Sequence, residues 1–113
     1  MSVPIVSIEL SEPLATYFAG HNNHDVDAMI GPFAEGAIVK DEGQERRGLP
    51  AIRAWMEETT AKYSATVAVT NVAGTAANTT VTGLVSGNFP GSPVELRYIF
   101  TLDQGKITRL EIV

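Results

Sequence analysis

The apolar residues of the N-terminal third recur with the period of an α-helix. Ser11 followed by Pro13 is typical of a helix start, and one face of that helix then carries Leu14, Tyr17, Phe18 and His21. Asn22-Asn23 marks its end, and Asp25 is suited to cap a second short helix that Gly31-Pro32 stops. The pattern therefore predicts two helices before any strand.

A short strand, a turn and a third helix follow. Residues 37–41 alternate so that Val39 and Asp41 share one face if the strand is regular. The pattern then predicts a turn at Glu42-Gly43, a short returning strand at 44–47, and a helix at 50–63 that buries Ile52, Trp55, Met56 and Thr59.

From residue 64 onward the apolar period changes to two. Val-rich and Thr-rich runs predict strands at about 66–73, 78–87, 94–102 and 106–113, separated by Gly, Pro, Asn and Asp turns. In the third of these strands, Tyr98 and Arg97 point to opposite faces. Together the elements predict an α+β fold, in which a curved, mostly antiparallel sheet wraps around three helices and encloses a pocket.

The composition of the chain limits the number of domains and the kinds of function that are expected. With 113 residues, 44% of them hydrophobic and 19% charged, we expect one domain spanning residues 1–113. A net charge of −5 disfavours nucleic-acid binding, which depends on clustered Lys and Arg. The absence of cysteine excludes disulfides and thiolate chemistry and suits the cytoplasm.

The N-terminus and the hydropathy pattern bear on location. Residues 1–10 lack a basic segment and an apolar run of signal-peptide length, and no 18 apolar residues run together. We therefore expect a cytoplasmic protein that does not engage a membrane.

Tyr17 and Asp41 are the main candidates for chemistry. A phenol can donate a hydrogen bond to a developing oxyanion while a carboxylate removes a proton from carbon, and the pair is a minimal set for enolisation. The alternatives are a buried core tyrosine with a backbone partner and an ordinary aspartate in a turn.

Other polar residues have simpler interpretations. His21 and His24 lack a third ligand at a suitable spacing, so no metal site is predicted, and His24-Asp25 is interpreted as a helix junction. Arg46-Arg47 is interpreted as a solvated strand edge beside Glu45.

Three segments resemble one family of folds. They are Asn23–Ala28 between the first helices, Phe33–Val39 entering the first strand, and Gly48–Arg53 opening the third helix. With them the chain resembles, over nearly its whole length, the nuclear transport factor 2-like superfamily, in particular its SnoaL-like and ketosteroid isomerase-like members. The resemblance is more specific for fold than for activity.

The resemblance to ketosteroid isomerase implies roles for particular residues. Tyr17 falls on the tyrosine of the oxyanion hole, and Asp41 falls on the catalytic base. The second oxyanion donor of that family, a protonated aspartic acid, is replaced here by Tyr98 or, one register away, by Arg97. Phe33 and Met56 stand where two supporting tyrosines would be. Losing an oxyanion donor typically costs about 3–4 kcal/mol, so Tyr98 would have to replace it.

The expected function is a cofactor-independent, isomerase-like enzyme that shifts a proton on a small apolar carbonyl compound, resembling a steroid isomerase or a polyketide cyclase. Its expected catalytic residues are Tyr17, Asp41 and Tyr98. The expected substrate wall consists of Phe33, Trp55, Met56, Phe89, Phe100 and Leu110. The alternatives are a non-catalytic module that binds a small ligand and a dimeric interaction module of the same fold.

A homodimer is expected because the sheet would otherwise expose apolar residues. If the strands run in that register, Val69, Val81, Ile99 and Ile107 would supply its outer surface.

Overall fold

The structure is a computed structural model that describes residues 10–113. Within this range the elements are, in chain order, α1 (Glu12–Asn22), α2 (Val26–Ile30), β1 (Phe33–Asp41), β2 (Gln44–Arg47), α3 (Leu49–Tyr63), β3 (Thr66–Gly74), β4 (Asn78–Ser86), β5 (Val94–Asp103) and β6 (Lys106–Ile112). The N-terminal segment used above to predict location lies, apart from Leu10, outside the described residues.

The strands form one six-stranded sheet in the order β2-β1-β6-β5-β4-β3. Strands β1 and β6 pair in parallel, and the other neighbouring strands pair antiparallel. Register shifts interrupt the β1–β6, β3–β4 and β5–β6 pairings, and irregularities of this kind bend and twist a sheet. The predicted α+β fold with a curved mixed sheet is confirmed.

A single cluster of apolar side chains joins the helices to the inner face of the sheet. Leu14 of α1, Ile52 and Met56 of α3, and Phe100 and Leu110 of the sheet are each 1% exposed or less. Burial of such large side chains is the main favourable contribution to folding. The helices therefore hold the sheet in its curved form.

The junction between α1 and α2 is built from short polar side chains. Asp25 caps α2 by accepting a hydrogen bond from the backbone N–H of Ala28 at 3.2 Å. Asn22 accepts the backbone N–H of Val67 at 2.7 Å and donates to its carbonyl at 3.0 Å. His24 lies 3.0 Å from the carbonyl oxygen of Ala65. The predicted junction is confirmed, and it also ties the end of α1 to β3.

Two details of the sheet differ from the sequence-based expectation. Strand β1 begins at Phe33 rather than at residue 37, because Phe33 pairs with Ile107 of β6 across the irregular stretch. Of the residues expected on the outer surface, Val81 and Ile107 are completely buried in the core, and Val69 packs against that core. Their inward orientation follows from the pairing register, which the sequence does not reveal.

In the described part of the chain, no helix combines the length and the apolar character needed to cross a membrane.

Candidate active site

Between α1, α3 and the inner face of the sheet lies a cavity of about 440 Å³. Its size falls within the range of about 300–1,000 Å³ that is usual for small-molecule sites. The polar lining includes Tyr17, His21, Asp41, Glu42, Thr59, Thr60, Tyr63 and Tyr98, and the rest of the wall is Met29, Trp55, Ala65, Val85, Phe89, Val94, Leu96, Ile112 and Val113.

The strand register brings Asp41 and Tyr98 into one row across the sheet. Asp41 of β1 lies opposite Ile112 of β6, and Ile112 lies opposite Tyr98 of β5. Neighbouring strands are about 4.8 Å apart, so two strand spacings, roughly 10 Å, separate the backbones of Asp41 and Tyr98. Both side chains line the cavity.

Tyr17 reaches the same cavity from α1. Its ring makes edge-to-face contacts with Phe18, Phe33 and Phe100, at centroid distances of 5.0, 5.8 and 5.7 Å. Such contacts fix the orientation of an aromatic ring. The phenol is thus held firmly at the cavity wall while its ring remains part of the core.

Asp41 is half-buried, and its carboxylate oxygen Oδ2 accepts a hydrogen bond from the indole N–H of Trp55 at 3.1 Å. Burial raises the pKa of Asp41, whereas the Trp55 hydrogen bond and the positive charge of Arg46 lower it. Burial is the largest of these effects, so the pKa of the carboxyl lies above its ordinary value. A carboxylate with a raised pKa is a stronger base.

The two tyrosines keep their protons at neutral pH. Burial raises the pKa of Tyr17 well above its ordinary value, and the nearby Tyr98 and Asp41 add to the shift. The pKa of Tyr98 is likewise raised, mainly by burial and to a smaller extent by the charge of Asp41. Tyr17 and Tyr98 are therefore protonated phenols that can donate hydrogen bonds, and they share the cavity with the Asp41 carboxylate, which can act as a base.

The predicted substrate wall is present only in part. Trp55 and Phe89 line the cavity. The Phe89 ring packs edge-on against the Tyr63 ring, with 5.8 Å between the ring centroids. The other four predicted wall residues, Phe33, Met56, Phe100 and Leu110, are buried in the core and do not line this cavity.

The sheet register explains two of these four positions. Phe100 pairs with Leu110, one inward-facing row away from the row that contains Asp41 and Tyr98. These two residues therefore lie in the next row of the sheet, within the core, rather than on the cavity wall. Phe33 borders a separate surface depression beside Leu49 and Arg53.

Sequence reasoning did not assign several polar residues of this region to the site, and His21 and Arg46 are two of them. His21 was set aside because it lacked partners for a metal, but it lines the cavity. Arg46 was interpreted as solvated, but it is half-buried, and its atom Nη1 is buried without a hydrogen-bond partner among the described residues. The interpretation holds for Arg47, which is exposed and pairs with Glu45 at 3.0 Å. Pairing of Arg46 with Val39 turns it inward, and only the register shows this.

Residues 10–113 contain no group of three or more His, Asp or Glu side chains arranged to hold a metal ion.

Comparison with known families and structures shows what this chain resembles. A sequence model of the SnoaL-like domain matches residues 14–110. A structure from Sinorhizobium meliloti, provisionally named a polyketide cyclase, is 36% identical with a TM-score of 0.88, and the match covers 92% of this chain and 95% of that one. No curated protein matches.

More distant structures share the fold. A Catenulispora acidiphila protein with a ketosteroid isomerase-like fold, solved with trimethylamine, has a TM-score of 0.81 at 18% identity, covering 93% of this chain and 86% of that one. A Xanthomonas campestris structure, also provisionally named a polyketide cyclase, has a TM-score of 0.77 at 19% identity, covering 88% and 85%.

Proposed function

The chain belongs to the SnoaL-like domain family, and from this premise we propose that it is a cofactor-independent enzyme that shifts a proton on a small apolar carbonyl compound. The observation that carries the proposal is the convergence of Asp41, Tyr17 and Tyr98 on one largely apolar cavity. The provisional name of the Sinorhizobium meliloti structure, polyketide cyclase, is consistent with enolate chemistry.

In the first step Asp41 acts as the base. Its carboxylate takes a proton from the carbon next to the substrate carbonyl, the C–H electron pair forms a C=C bond, and the carbonyl electrons move to oxygen. The Trp55 hydrogen bond to Oδ2 holds the carboxylate in a fixed orientation. Fixed orientation of a base is a large part of its catalytic value.

Tyr17 and Tyr98 stabilise the resulting enolate. Both phenols remain protonated because burial raises the pKa of each, and each can donate a hydrogen bond to the enolate oxygen. In this arrangement Tyr98 takes the place of the aspartic acid donor of ketosteroid isomerase. Donors that are already oriented toward the developing charge lower the barrier most.

Two outcomes are open to the enolate. In an isomerisation, protonated Asp41 returns its proton to a different carbon of the conjugated system. In an aldol cyclisation, the enolate carbon forms a C–C bond to a second carbonyl of the same molecule, and the new alkoxide takes the proton from Asp41. Both outcomes regenerate the Asp41 carboxylate and need no redox cofactor.

Hydrogen–deuterium exchange tests this mechanism without knowledge of the natural substrate. We expect the protein to exchange the α-protons of 2-tetralone in D₂O, as followed by ¹H NMR. Asp41→Asn should slow the exchange by about 10²–10⁴-fold because the base is lost. Tyr17→Phe should slow it by roughly 10²–10³-fold because one oxyanion donor is lost.

The control for the Asp41 variant is Asp103→Asn, since Asp103 is exposed at the end of β5, outside the cavity. It should exchange 2-tetralone at the wild-type rate. Exchange that is equally fast in Asp41→Asn and in the wild type would refute the mechanism. Binding of 2-naphthol, which mimics the enol of 2-tetralone, without any exchange would instead indicate a non-catalytic binding module.

We also propose a homodimer formed through the outer face of the sheet. Leu84, 41% exposed, and the half-buried Ile99 are apolar residues of this face, and Glu95, Arg97 and Glu111 supply both signs of charge around them. A face of this kind can complement a second copy of itself. Light scattering at micromolar concentration should give twice the 12.1 kDa chain mass, and Ile99→Glu should lower it toward one chain. A wild-type monomer would contradict the proposal.

A further inference from the structure

His21 lies one helical turn after Tyr17 on α1 and lines the same cavity. The imidazole and phenol rings are 6.1 Å apart between centroids and meet nearly edge to face. The proposed enolisation does not use His21. The cavity therefore contains a polar ring whose role is open.

The two nitrogens of this ring are in different surroundings. Within residues 10–113, Nδ1 is buried and has no hydrogen-bond partner, whereas Nε2 is not among the buried unpartnered atoms. A buried N–H without an acceptor costs more than a buried lone pair without a donor, and native structures rarely contain one. The neutral imidazole should therefore carry its proton on Nε2, which leaves that N–H as the donor available to a ligand.

The position of His21 is fixed by its neighbours. Asn22 binds the backbone of Val67 through both ends of its side-chain amide, and His24 contacts the carbonyl of Ala65. The end of α1 is thus attached to β3 on both sides of the loop that follows it. A donor held on a rigid element loses little conformational entropy when it binds.

The neighbouring groups that shift the pKa of His21 differ from those that act on the enolising tyrosines. The charge of Asp41 contributes to the raised pKa values of Tyr17 and Tyr98, whereas the pKa of His21 is lowered by burial and by the nearby His24. The ring therefore stays neutral at physiological pH, beside the Tyr17 ring in the same cavity.

We propose that His21 is a specificity-determining residue whose Nε2–H donates a hydrogen bond to a second oxygen of the substrate, distinct from the carbonyl that enolises. The substrate class is then a carbonyl compound with a further carbonyl or ether oxygen, rather than a mono-ketone with an otherwise hydrocarbon skeleton. This inference rests on the proposed function for the identity of the enolising half of the site.

The test compares two ligands that differ by one oxygen. 6-Acetyl-2-naphthol and 6-isopropenyl-2-naphthol have the same shape, but the first offers a carbonyl oxygen where the second has a CH₂ group. Their dissociation constants are measured by fluorescence titration of the full chain. The wild type should bind the acetyl compound about tenfold more tightly than the isopropenyl compound, which corresponds to one net hydrogen bond.

Two variants assign this preference to His21. His21→Phe keeps an aromatic ring without the donor and should remove the tenfold preference. His21→Gln keeps an N–H near the position of Nε2 and should retain most of it. The same preference in the wild type and in His21→Phe would overturn the inference, and so would failure of the wild type to bind either naphthol.

Tyr17→Phe separates this inference from the proposed function. It should weaken the binding of both naphthols by a similar factor, because both carry the hydroxyl group that Tyr17 would contact. The preference for the acetyl compound should therefore remain. If the preference depends on His21 but Tyr17→Phe and Asp41→Asn change neither binding nor exchange, the proposed function fails and the His21 subsite stands. If Tyr17→Phe and Asp41→Asn act as expected but the preference does not depend on His21, only the His21 subsite is overturned.

A measurement on the wild-type protein avoids any loss of folding in the variants. Long-range ¹H–¹⁵N NMR spectra of the His21 ring should show the neutral Nε2–H tautomer. The Nε2 proton should shift downfield when 6-acetyl-2-naphthol is added and should move much less with 6-isopropenyl-2-naphthol. An Nδ1–H tautomer, or equal shifts with both compounds, would overturn the inference.

Discussion

Asp41 is the residue on which the proposed chemistry depends, and opposing influences set its basicity. Burial disfavours the ionised form, while the indole N–H of Trp55 and the charge of Arg46 favour it. The result is a carboxyl whose pKa is raised above its ordinary value. Such a group combines availability as a base with greater proton affinity than an exposed carboxylate has.

The pH profile of α-proton exchange should reflect this balance. The active form has Asp41 ionised and both tyrosines protonated, so exchange should fall as the pH drops through the raised pKa of Asp41. No loss from the tyrosines is expected up to about pH 10, the ordinary pKa of a phenol, because the pKa values of both are raised above it. Arg46→Met removes a charge that lowers the pKa of Asp41, so the fall in exchange rate at low pH, the acid limb of the profile, should move to higher pH.

The matched control for this prediction is Arg47→Met. Arg47 is adjacent in sequence but lies on the outer side of β2, where it pairs with Glu45. Its removal should leave the acid limb in place. The measurement is the rate of 2-tetralone exchange from pH 4 to 9. If the fall in rate at low pH occurs at the same pH in Arg46→Met and in the wild type, Arg46 does not influence the pKa of Asp41.

At the scale of elements, the crossing of α1 and α2 depends on a glycine. A Cβ atom built on Gly20 would lie 2.7 Å from the backbone nitrogen of Met29 and 3.0 Å from the carbonyl carbon of Ala28. Both neighbours are backbone atoms, so the helices would have to separate. Because Tyr17 and His21 are on α1 and Met29 is on α2, this close approach also sets one end of the cavity.

Gly20→Ala should therefore destabilise the protein. Alanine favours a helix by up to about 1 kcal/mol relative to glycine, but overpacking at a close contact costs about 1–3 kcal/mol, so a net loss of roughly 1–2 kcal/mol is expected. Urea unfolding would measure it. Gly36→Ala is the control, since a Cβ there meets nothing within 4 Å and the residue is exposed on β1. If both variants were equally stable, the close approach would not matter energetically.

At the scale of the whole molecule, the site and the stability of the fold are in conflict. The pKa of Asp41 is raised in the folded state relative to about 3.9 in an unfolded chain, so the folded state binds a proton more readily. Ionised Asp41 therefore lowers stability at pH values above its folded pKa, and the penalty disappears as the pH falls toward 3.9. Functional sites commonly reduce stability in this way.

Asp41→Asn should accordingly be more stable than the wild type at pH 7, with a difference that shrinks at pH 4. Urea unfolding of both proteins at the two pH values measures the effect. Asp103→Asn, at an exposed position, should show no such pH-dependent gain. A variant that is less stable than the wild type at pH 7 would mean that the carboxylate contributes more through its hydrogen bond than it costs through burial.

The sequence by itself determined the order and the kinds of the elements. Helical periodicity placed α1 and α3, Asp25 and Gly31-Pro32 bounded α2, and the Val- and Thr-rich alternation placed the last four strands within one or two residues. These features are local, since capping, turn chemistry and period act over a few residues. Alternation also predicted that Tyr98 and Arg97 point to opposite faces of β5, and Tyr98 is buried whereas Arg97 is exposed.

Only the tertiary structure decided which residues meet. The strand register places Asp41, Ile112 and Tyr98 in one row, leaves Phe100 and Leu110 in the next row, and turns Arg46 inward. The row depends on the parallel pairing of β1 with β6, which are far apart in sequence. A shift of one residue would reverse the orientation of each side chain in a strand, and no local pattern fixes that choice across several strands. Likewise, the hydrogen bond from Trp55 to Asp41 and the cavity beside His21 exist only because a helix and a curved sheet pack together.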